Sequence, residues 1–453
     1  MKSTLGFYGG VGSVTGANFM LRTGEATLLV DCGLVQGSEF APEINAEPFA
    51  YNPGDVDVLI VTHAHADHIG RIPKLVKEGF KGIIYSTTPT KDLSAVMLED
   101  AIKVMEYEHE RYGYEVLYER SDIRKSLELW KTVSYEEIVS LPNDVALTFK
   151  DAGHILGSAM VHLTRGDKKI VFTGDIGNIP QPLLAPPNVP TDYDYLVMES
   201  VYGDRLHEQV EERTALLAEQ LIKTHKQNGA LIIPAFSLER TQAMLLEINN
   251  LIEQKVVPQM PVFLDSPLAI TVTDIYRKHV DYLKSEVQTQ IAGGDDIFDF
   301  PGFSFTRTVK ESHEIDQVKG AKVIIAGSGM SHGGRIRRHE QNYLNNPKTT
   351  VLLVGYQSVG SLGRMLHDGA KKVRIDGVEV KVKAKIAKIS GYSGHADRDQ
   401  LIDLVAGGGD KAKQVFVAMG EERSSLFLVQ RLRDYLGLNA IAPEQDQQIE
   451  IDF

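Results

Sequence analysis

Three histidines and an aspartate fall within six residues of this sequence, in the run HAHADH at positions 63–68. The apolar stretch 56–61 directly before them predicts a buried strand, which can hold side chains in a fixed geometry. Neutral imidazole and carboxylate are the ligands that zinc and other first-row divalent ions take, often with one position left open for water. A turn that is merely rich in histidine would explain one of these side chains, but not all four. The run therefore predicts a metal site.

Three further candidate ligands lie downstream, each beside Gly or Ser in a predicted loop: His154, Asp175 and His395. Small residues let the backbone turn sharply and bring a side chain close to an ion. A single loop histidine or aspartate is more often solvated, or caps a helix, than it is a ligand. We include these three because the first loop needs more ligands than it supplies.

The composition is typical of a large globular enzyme. With 453 residues, the chain has the length for two or three domains with apolar cores. Its one cysteine, Cys32, excludes an internal disulfide and fits a reducing compartment. The first residues carry no apolar signal core, and no apolar run approaches the length of a membrane span. These features predict a cytoplasmic protein that does not act at a membrane.

The pattern of apolar residues divides the chain into parts. The first part is β-rich, with a hairpin around residues 23–25 and helices over 90–112 and 122–131. Between Leu206 and His367, predicted helices alternate with buried strands, which implies a parallel sheet covered on both faces. The expected helices there are 209–226, 238–253, one long helix before Gly293, and 334–344; the expected strands are 230–234, 262–265, 322–326 and 350–354. After His367 the chain must return to the first domain if His395 is to reach the metal site.

A glycine-rich turn, GSGMSHGGR at 327–335, follows one of these strands and opens a helix. Free N–H groups at a helix start can hold a phosphate. The run GSLGR at 360–364 has a similar composition. A tight strand-to-helix connection explains both runs equally simply. As a dinucleotide fingerprint the first turn fails, because it lies far from the first strand and lacks an acidic residue about 20 positions later.

The formal net charge of −13 argues against a polyanionic partner, because affinity for phosphates comes largely from Lys and Arg. Basic residues are nevertheless concentrated locally, at Arg335, Arg337 and Arg338, and again in the stretch 371–388. In VKVKAKI at 380–386, the alternation places apolar side chains on one face of a strand and lysines on the other. A solvated edge strand protected from aggregation and an RNA-facing stripe explain this pattern equally well.

The spacing of these residues resembles the metallo-β-lactamase fold and, more narrowly, its β-CASP branch of RNA nucleases, which includes bacterial and archaeal ribonucleases and the pre-mRNA 3′-end cleavage endonuclease. The 63–68 run matches the HxHxDH loop of the family, His154 its third motif and Asp175 its fourth. The branch markers are Glu199 for motif A, His367 for motif B and His395 for motif C. The resemblance implies an α/β fold: a metallo-β-lactamase αββα sandwich, residues 1–205 and 370–453, with an inserted parallel-sheet β-CASP domain, residues 206–369.

The resemblance also implies two divalent metal ions, with Zn²⁺ favoured and Mn²⁺ or Fe as alternatives. One ion is expected at His63, His65 and His154, the other at Asp67, His68 and His395, with Asp175 as the bridge. Asp67, Glu199 and His367 are the expected catalytic residues, with His367 as the general acid and Glu199 orienting it. Asp31, Thr62 and Asp397 are expected to orient the ligands.

The implied substrate is RNA, bound in the cleft between the two domains. The expected substrate-binding residues are Ser328, Gly329, Met330, Gly333, Gly334, Arg335, Ser361 and Arg364. One departure from the family is Met419, where relatives usually have histidine, and it puts the hydrogen bonding of the floor of that cleft in question.

Three functions compete. A metal-dependent ribonuclease, cutting internally or from the 5′ end, is the leading prediction. A hydrolase of small esters or phosphodiesters is the second, although such substrates would not need the inserted domain. An inactive scaffold is the third, but such relatives lose ligands and this chain keeps all seven. His395 favours RNA over DNA, because DNA-processing relatives lack a histidine there. The segment 448–453 predicts an edge strand that could support a homodimer.

Overall fold

The structure is a computed structural model that describes residues 2–37, 40–355, 357–358 and 360–453. The chain divides into two compact units. The first unit comprises Met1–Ile179, Ala185–Leu206 and His395–Phe453, and the second comprises Pro180–Leu184 and His207–Gly394. The stretch 370–394 thus lies in the second unit, whereas the sequence placed it in the first domain.

The first 206 residues form the elements β1 Lys2–Gly9, β2 Asn18–Thr23, β3 Ala26–Val30, α1 Ala41–Ala46, β4 Val58–Ile60, α2 Ala66–Ile69, α3 Ile72–Lys77, β5 Ile83–Ser86, α4 Thr88–Tyr112, α5 Arg120–Glu128, β6 Trp130–Thr132, β7 Ile138–Leu141, β8 Val145–Asp151, β9 Ala159–Arg165, β10 Lys168–Phe172 and β11 Tyr195–Met198. Local sequence explains many of the boundaries. For example, α4 begins where the Thr87 side chain accepts a hydrogen bond from Thr90 N, and it ends at Gly113, whose φ of 77° suits glycine.

The second unit contains α6 Val210–Gln227, β12 Ala230–Pro234, α7 Arg240–Glu253, β13 Val262–Leu264, α8 Pro267–Lys278, α9 Ser285–Ala292, β14 Phe303–Phe305, α10 Val309–Glu314, β15 Lys322–Ala326, α11 Ile336–Tyr343, β16 Thr350–Leu353, α12 Leu362–His367, β17 Lys372–Ile375, β18 Val378–Lys381 and β19 Lys385–Lys388. The rest of the chain forms α13 Arg398–Ala406, β20 Gln414–Val417, α14 Glu422–Leu436, β21 Ala440–Ile441 and β22 Gln448–Asp452.

The first unit is a sandwich of two sheets. Within the described residues, one sheet has the order β22-β1-β2-β3-β4-β5-β6 and the other the order β21-β20-β11-β10-β9-β8-β7. Their inner faces share one buried apolar cluster that includes Phe7, Phe149, Phe172 and Phe416. Two further clusters pack helices on the outer faces, with residues of α4 and α5 in one and of α13 and α14 in the other. This αββα arrangement agrees with the predicted fold class.

The second unit has a parallel sheet in the order β14-β13-β15-β12-β16-β19. Its central strands β12 and β15 are buried along their whole length, as expected for a sheet covered on both faces. Strand β19 pairs with β16, and this pairing keeps the stretch after His367 in the second unit. The strands β17 and β18 form a separate antiparallel pair.

Two predicted helices differ in the structure. The helix expected over 122–131 ends at Glu128, and Trp130 begins β6, where its Nε1 donates to Ser86 Oγ and its backbone pairs with β5. The long helix expected before Gly293 is two helices, α8 and α9, separated by a short 3₁₀ turn. At Trp130, contacts distant in sequence override a local helical pattern.

No helix in the described part of the chain has the length and apolar character to cross a membrane. Cys32 is fully buried in the cluster that packs α4 and α5 against the first sheet.

Candidate metal centre

The loop after β4 presents the first group of histidines. Residues 58–61 are fully buried or nearly so, and α2 begins directly after His65. His63 and His68 are 1% and 0% exposed. The ring centroids of these two histidines lie 4.0 Å apart, and those of His63 and His65 lie 4.9 Å apart. One strand end and one short helix therefore gather all three imidazoles.

Asp31 and Thr62 hold two of these rings in place. Asp31 Oδ2 lies 2.7 Å from His68 Nδ1, and the backbone N–H and hydroxyl of Thr62 donate to the same carboxylate. The Thr62 hydroxyl also lies 3.0 Å from His63 Nδ1. An Nδ1 that faces a carboxylate carries the proton, so the Nε2 lone pair of His68 points the other way. A role of Asp31 and Thr62 in orienting metal ligands stays a prediction that these contacts support.

His154 and Asp175 approach from the loops after β8 and β10. Asp175 Oδ2 lies 3.4 Å from His63 Nε2 and 3.5 Å from His154 Nε2, while its Oδ1 lies 3.3 Å from His68 Nε2. The two loops touch closely, because a Cβ at Gly177 would lie 1.8 Å from the Gly153 carbonyl oxygen. Only glycine fits at this contact, which brings both ligand loops together.

His395 reaches the same cluster from the final segment. Its Nδ1 lies 3.2 Å from Glu199 Oε1 and 3.9 Å from Asp175 Oδ2, and its ring centroid is 4.7 Å from that of His154. A backbone bridge to Gly177 fixes the loop of His395. The Glu199 carboxylate, which follows β11, also accepts from Ile176 N and Val201 N.

These side chains suit a divalent cation. Single ligand atoms of His63, His65, His154 and Asp175 lie within 4.8 Å of one another, as do those of Asp175, Glu199 and His395. His68 Nε2 and Asp175 Oδ1 are buried without a hydrogen-bond partner among the described residues, although buried polar atoms normally have one. Two such atoms that face each other at 3.3 Å need a positive charge between or beside them, which a bound cation or a proton on His68 would supply. Asp67 Oδ2 lies 4.0 Å from the same His68 Nε2.

Burial and charge set the protonation of the cluster. Burial lowers the pKa of His63, and it holds the pKa values of His65 and His154 well below the ordinary value, so these imidazoles are neutral and free to act as ligands. For His68, burial also lowers the pKa, but the carboxylates of Asp175 and Asp31 outweigh it and hold the pKa well above its usual range.

The pKa values of the carboxylates and of His395 also depart from their ordinary values. For Asp175, burial raises the pKa, but His68 and His63 outweigh burial and leave the pKa well below its usual range. For His395, burial acts downward and Glu199 upward, with a resulting pKa of about 9. Burial raises the pKa of Glu199 and of Asp67. Asp175 is thus an ionised carboxylate that draws positive charge toward itself.

The described partners of Glu199 are His395 and two backbone N–H groups. The expected orientation of His367 by Glu199 stays a prediction. His367 lies in the second unit on α12, with a side chain 39% exposed, and its Nδ1 is 3.1 Å from Asp368 Oδ1. Asp368, the next residue in the chain, was not among the predicted site residues. Asp397 caps α13 by accepting from the backbone of Asp399 and Gln400.

The glycine-rich turn at 327–335 is largely closed on itself. Ser328 Oγ accepts hydrogen bonds from His332 N and Gly333 N. Gly334, at a φ of 74°, lies so close to the Gly327 carbonyl that a Cβ would be 2.4 Å from its oxygen. The Arg335 guanidinium donates to Asp265 Oδ1 and to the carbonyls of residues 306 and 307. Arg335 therefore anchors the turn; a role in substrate binding stays a prediction.

The second small-residue run packs against this turn. Gln357 Nε2 donates to Gly329 O at 3.0 Å, and Gly363 N donates to Met330 O at 3.3 Å. Ser361 Oγ caps α12 by accepting from Arg364 N, and Arg364 Nε donates to Asp368. Substrate contacts of these residues stay predictions as well.

Met419 lies beneath the metal cluster and not on an open surface. It is 2% exposed and belongs to the core between the two sheets. Together with Asp31, Thr62 and Glu199 it lines a cavity of about 10 Å³, roughly the space of one water molecule. Its side chain therefore packs in the apolar core at this position.

Histidines and carboxylates gathered at the strand ends of an αββα sandwich define a metallohydrolase, and sequence comparisons place the chain more narrowly. Family models match for the metallo-beta-lactamase superfamily over residues 12–210, the Beta-Casp domain over 241–366 and the Zn-dependent metallo-hydrolase RNA specificity domain over 379–443. The chain is 36% identical to the protein named Ribonuclease TTHA0252 of Thermus thermophilus, over 93% of this chain and 94% of that protein.

Archaeal relatives agree with this placement. The chain is 32% identical to Transcription termination factor FttA of Methanosarcina mazei, over 93% of this chain and 67% of that protein. The fold also matches a solved structure of a protein of unknown function from Enterococcus faecalis, with a TM-score of 0.57, 12% identity and full coverage of both chains. The chain belongs to the β-CASP family of the metallo-β-lactamase superfamily, which confirms the predicted resemblance and the fold class.

Proposed function

We propose that the protein is a ribonuclease that hydrolyses RNA phosphodiester bonds with two divalent cations. The observation that carries this proposal is the set of buried ligand atoms around Asp175, together with the unpartnered His68 Nε2 and Asp175 Oδ1 among the described residues. The RNA substrate is supported by the family model named for RNA specificity and by the relative named as a ribonuclease.

His63, His65 and His154 would hold one cation, and Asp67, His68 and His395 the other, with Asp175 between them. Imidazole and carboxylate favour Zn²⁺, and the same ligands accept Mn²⁺ or Fe. When bound, such a pair of ions supplies a water of lowered pKa and positive charge for the phosphate oxygens. The lowered pKa values of His63, His65 and His154 keep these rings ready to bind metal at neutral pH.

The protein side chains supply positioning and a proton. Asp31 orients His68, and Glu199 orients His395. His367 would donate a proton to the leaving ribose oxygen, and Asp368 would orient its ring. An imidazole suits this task because it changes charge near neutral pH. Asp67 would be a further catalytic residue of this reaction, next to the water that attacks the phosphorus.

The direct test compares labelled RNA with generic ester and phosphodiester substrates, after metal analysis of the purified protein. We expect RNA cleavage that a chelator abolishes and Zn²⁺ or Mn²⁺ restores, with about two ions per chain. Turnover of the small esters with intact RNA would instead establish a hydrolase of small substrates. Circular RNA separates the two modes of cleavage, since only an internal cut opens it.

Two broader proposals accompany this function. The protein is expected to act in the cytoplasm, where its RNA substrate and a reducing environment for Cys32 are found. A homodimer could form through β22, which is one of the two edge strands of its sheet in the described residues. Gel filtration tests the dimer, and a monomeric elution volume would exclude it.

A further inference from the structure

The stretch 371–388 of the second unit is strongly basic, in a chain whose formal net charge is −13. It contains two acidic residues, Asp376 and Glu379, and seven basic ones: Lys371, Lys372, Arg374, Lys381, Lys383, Lys385 and Lys388. All seven basic side chains are exposed. Among the described residues, only Lys372 of the seven forms an ion pair, at 2.9 Å to Glu379. We call this surface the basic hairpin.

The backbone of the basic hairpin is firmly defined. Asp376 and Gly377, with φ values of 48° and 84°, form the turn between β17 and β18, and two positive φ values are typical of a tight hairpin. Asp376 also pairs with Arg337 on α11. After β18 the chain is fixed again, because the backbone N–H groups of residues 383 and 384 donate to Leu344 O.

One face of the hairpin is apolar, and the cations lie on the other. Val373, Ile375 and Val380 are buried in one cluster with Leu366, which belongs to α12. Residues alternate between the two faces of a strand, so burial of these three fixes Lys372, Arg374 and Lys381 outward. The hairpin is thus packed against the helix that carries His367.

The charges of the basic hairpin are only partly compensated within the protein, because Glu379 pairs with Lys372 and the other six cations form no ion pair among the described residues. Lys372 lies directly opposite Lys381 in the β17–β18 register, and like charges in that position destabilise a strand pair. Protection of exposed strands from aggregation requires charge, but it requires neither a single sign nor two facing lysines. The chain has 61 acidic and 48 basic residues overall, so the local excess of cations is not a reflection of its composition. An anionic partner would remove the repulsion.

We propose that the basic hairpin binds the phosphate backbone of single-stranded RNA, as an accessory surface distinct from the metal centre. This inference rests on the proposed ribonuclease function. Exposed lysines bind phosphates as mobile point charges and release counterions, without reading bases. Binding at the hairpin therefore raises affinity for long RNA of any sequence. A very short RNA held at the metal centre alone gains nothing from it.

The test uses the triple variant Lys381→Gln/Lys383→Gln/Lys385→Gln, which keeps most of each aliphatic stem. The control is Lys81→Gln/Lys103→Gln/Lys131→Gln, three exposed lysines of the first unit. Binding of a 30-nucleotide RNA is measured in chelator over a range of salt concentrations. Each lost phosphate contact should reduce the slope of log affinity against log salt by about 0.7, so the triple variant should lose about 2. At 0.1 M salt this corresponds to about fivefold in affinity per contact.

Cleavage assays distinguish a defect in RNA binding at the basic hairpin from a defect in catalysis. With metal restored, we expect the triple variant to show a raised KM on the 30-nucleotide RNA and wild-type turnover of a hexanucleotide. An unchanged salt slope, or an equal change in the control, would overturn the RNA-binding surface. Preferential loss of affinity for polyglutamate would also overturn it, in favour of an acidic protein partner.

Other results bear on the ribonuclease function separately. A wild-type protein that binds RNA through the hairpin but leaves it intact would refute the ribonuclease and retain the surface. If the triple variant unfolds at a lower temperature, Lys381→Gln alone replaces it. That single change relieves the repulsion with Lys372 and is expected to give one third of the slope change.

Discussion

The metal cluster of the first unit and the polar surface of the second unit use their side chains in opposite ways. In the first unit, His63, His68 and Asp175 are buried, and partners such as Asp31 fix them while leaving lone pairs unsatisfied among the described residues. In the second unit, the polar groups of the 327–335 turn satisfy one another, and the available charge lies on exposed lysines. A small ion that must lose water needs buried ligands in a fixed geometry. A long hydrated polyanion is instead bound by exposed cations.

The largest expected effect is at Asp175, whose carboxylate oxygens approach three histidines of the cluster. Asp175→Asn should lower the metal content below one ion per chain. Turnover of RNA should fall at least about a thousandfold, because several kcal/mol of charge stabilisation depend on the ions. Elemental analysis and initial rates measure both. Asp167→Asn, at an exposed aspartate, is the control; a fully metallated and active Asp175→Asn would remove this residue from the site.

His367→Ala tests whether the second unit takes part in the chemistry. Loss of a general acid should reduce kcat by about 10²- to 10⁴-fold, with the metal content unchanged. Added imidazole should restore part of the turnover, which a merely structural role would not predict. His313→Ala, at an exposed histidine of α10, provides the comparison. Wild-type kcat in His367→Ala would confine catalysis to the first unit.

Glu199→Gln tests whether Glu199 supports metal binding in the first unit or acts on His367 of the second unit. Because the Glu199 carboxylate faces His395 Nδ1, we expect metal affinity to fall about 10- to 100-fold. His395→Ala should lower the affinity further, because His395 is itself a proposed ligand, and adding Glu199→Gln to His395→Ala should then have little effect, because Glu199 acts through that ring. Competition with a chelating dye measures the affinity. Full metal affinity with reduced turnover would instead support the original prediction that Glu199 serves His367.

The smallest effect concerns the stability of the second unit. Glu340 is fully buried, accepts a hydrogen bond from Ser331 Oγ at 2.5 Å, and burial raises its pKa from 4.5 to about 8. The folded protein therefore keeps a proton that the unfolded chain loses above pH 4.5. The free energy of unfolding should decrease between pH 4.5 and about 8, by up to about 1.4 kcal/mol per pH unit.

Glu340→Gln removes this titration and retains an acceptor for Ser331. Thermal unfolding at pH 6 and pH 8 should show a decrease in Tm that is a few degrees smaller in the variant than in the wild type. Glu314→Gln, at an exposed glutamate of the same unit, should behave as the wild type. An identical decrease in the Glu340 and Glu314 variants would show that Glu340 is ionised throughout.

The same contrast explains what the sequence could predict. The run at 63–68 predicted a metal site because three imidazoles and a carboxylate at this spacing are by themselves typical of metal ligands. The parallel sheet of the second unit followed from the alternation of predicted helices and buried strands, whereas the αββα sandwich followed from the family resemblance. The partner of Glu199 could not be predicted, since it depends on how β11 and the loop before α13 meet. Trp130 was placed in a helix because its partner, Ser86, is 44 residues away.

The expected phosphate contacts illustrate a different difficulty. The turn at 327–335 has the composition of an anion-binding loop, but in the structure Asp265 and the hydroxyl of Ser328 occupy its donors. The composition of a loop shows which hydrogen-bond donors are present, but it does not show which of them already bond to other groups of the protein. The exposed lysines at 381–385 were visible in the sequence, and the β17–β18 register then showed that two cations face each other.

Cys32 is the one cysteine of the sequence and is buried, which makes the protein suitable for selective labelling. The thiol is fully buried, and burial raises its pKa to about 12, so at neutral pH it stays protonated and unreactive toward maleimides. A cysteine placed at an exposed position would therefore be the single labelling site on an otherwise native background. A fluorophore introduced in this way, paired with a second dye on the nucleic acid, could follow the motion of a transcript across the enzyme in real time.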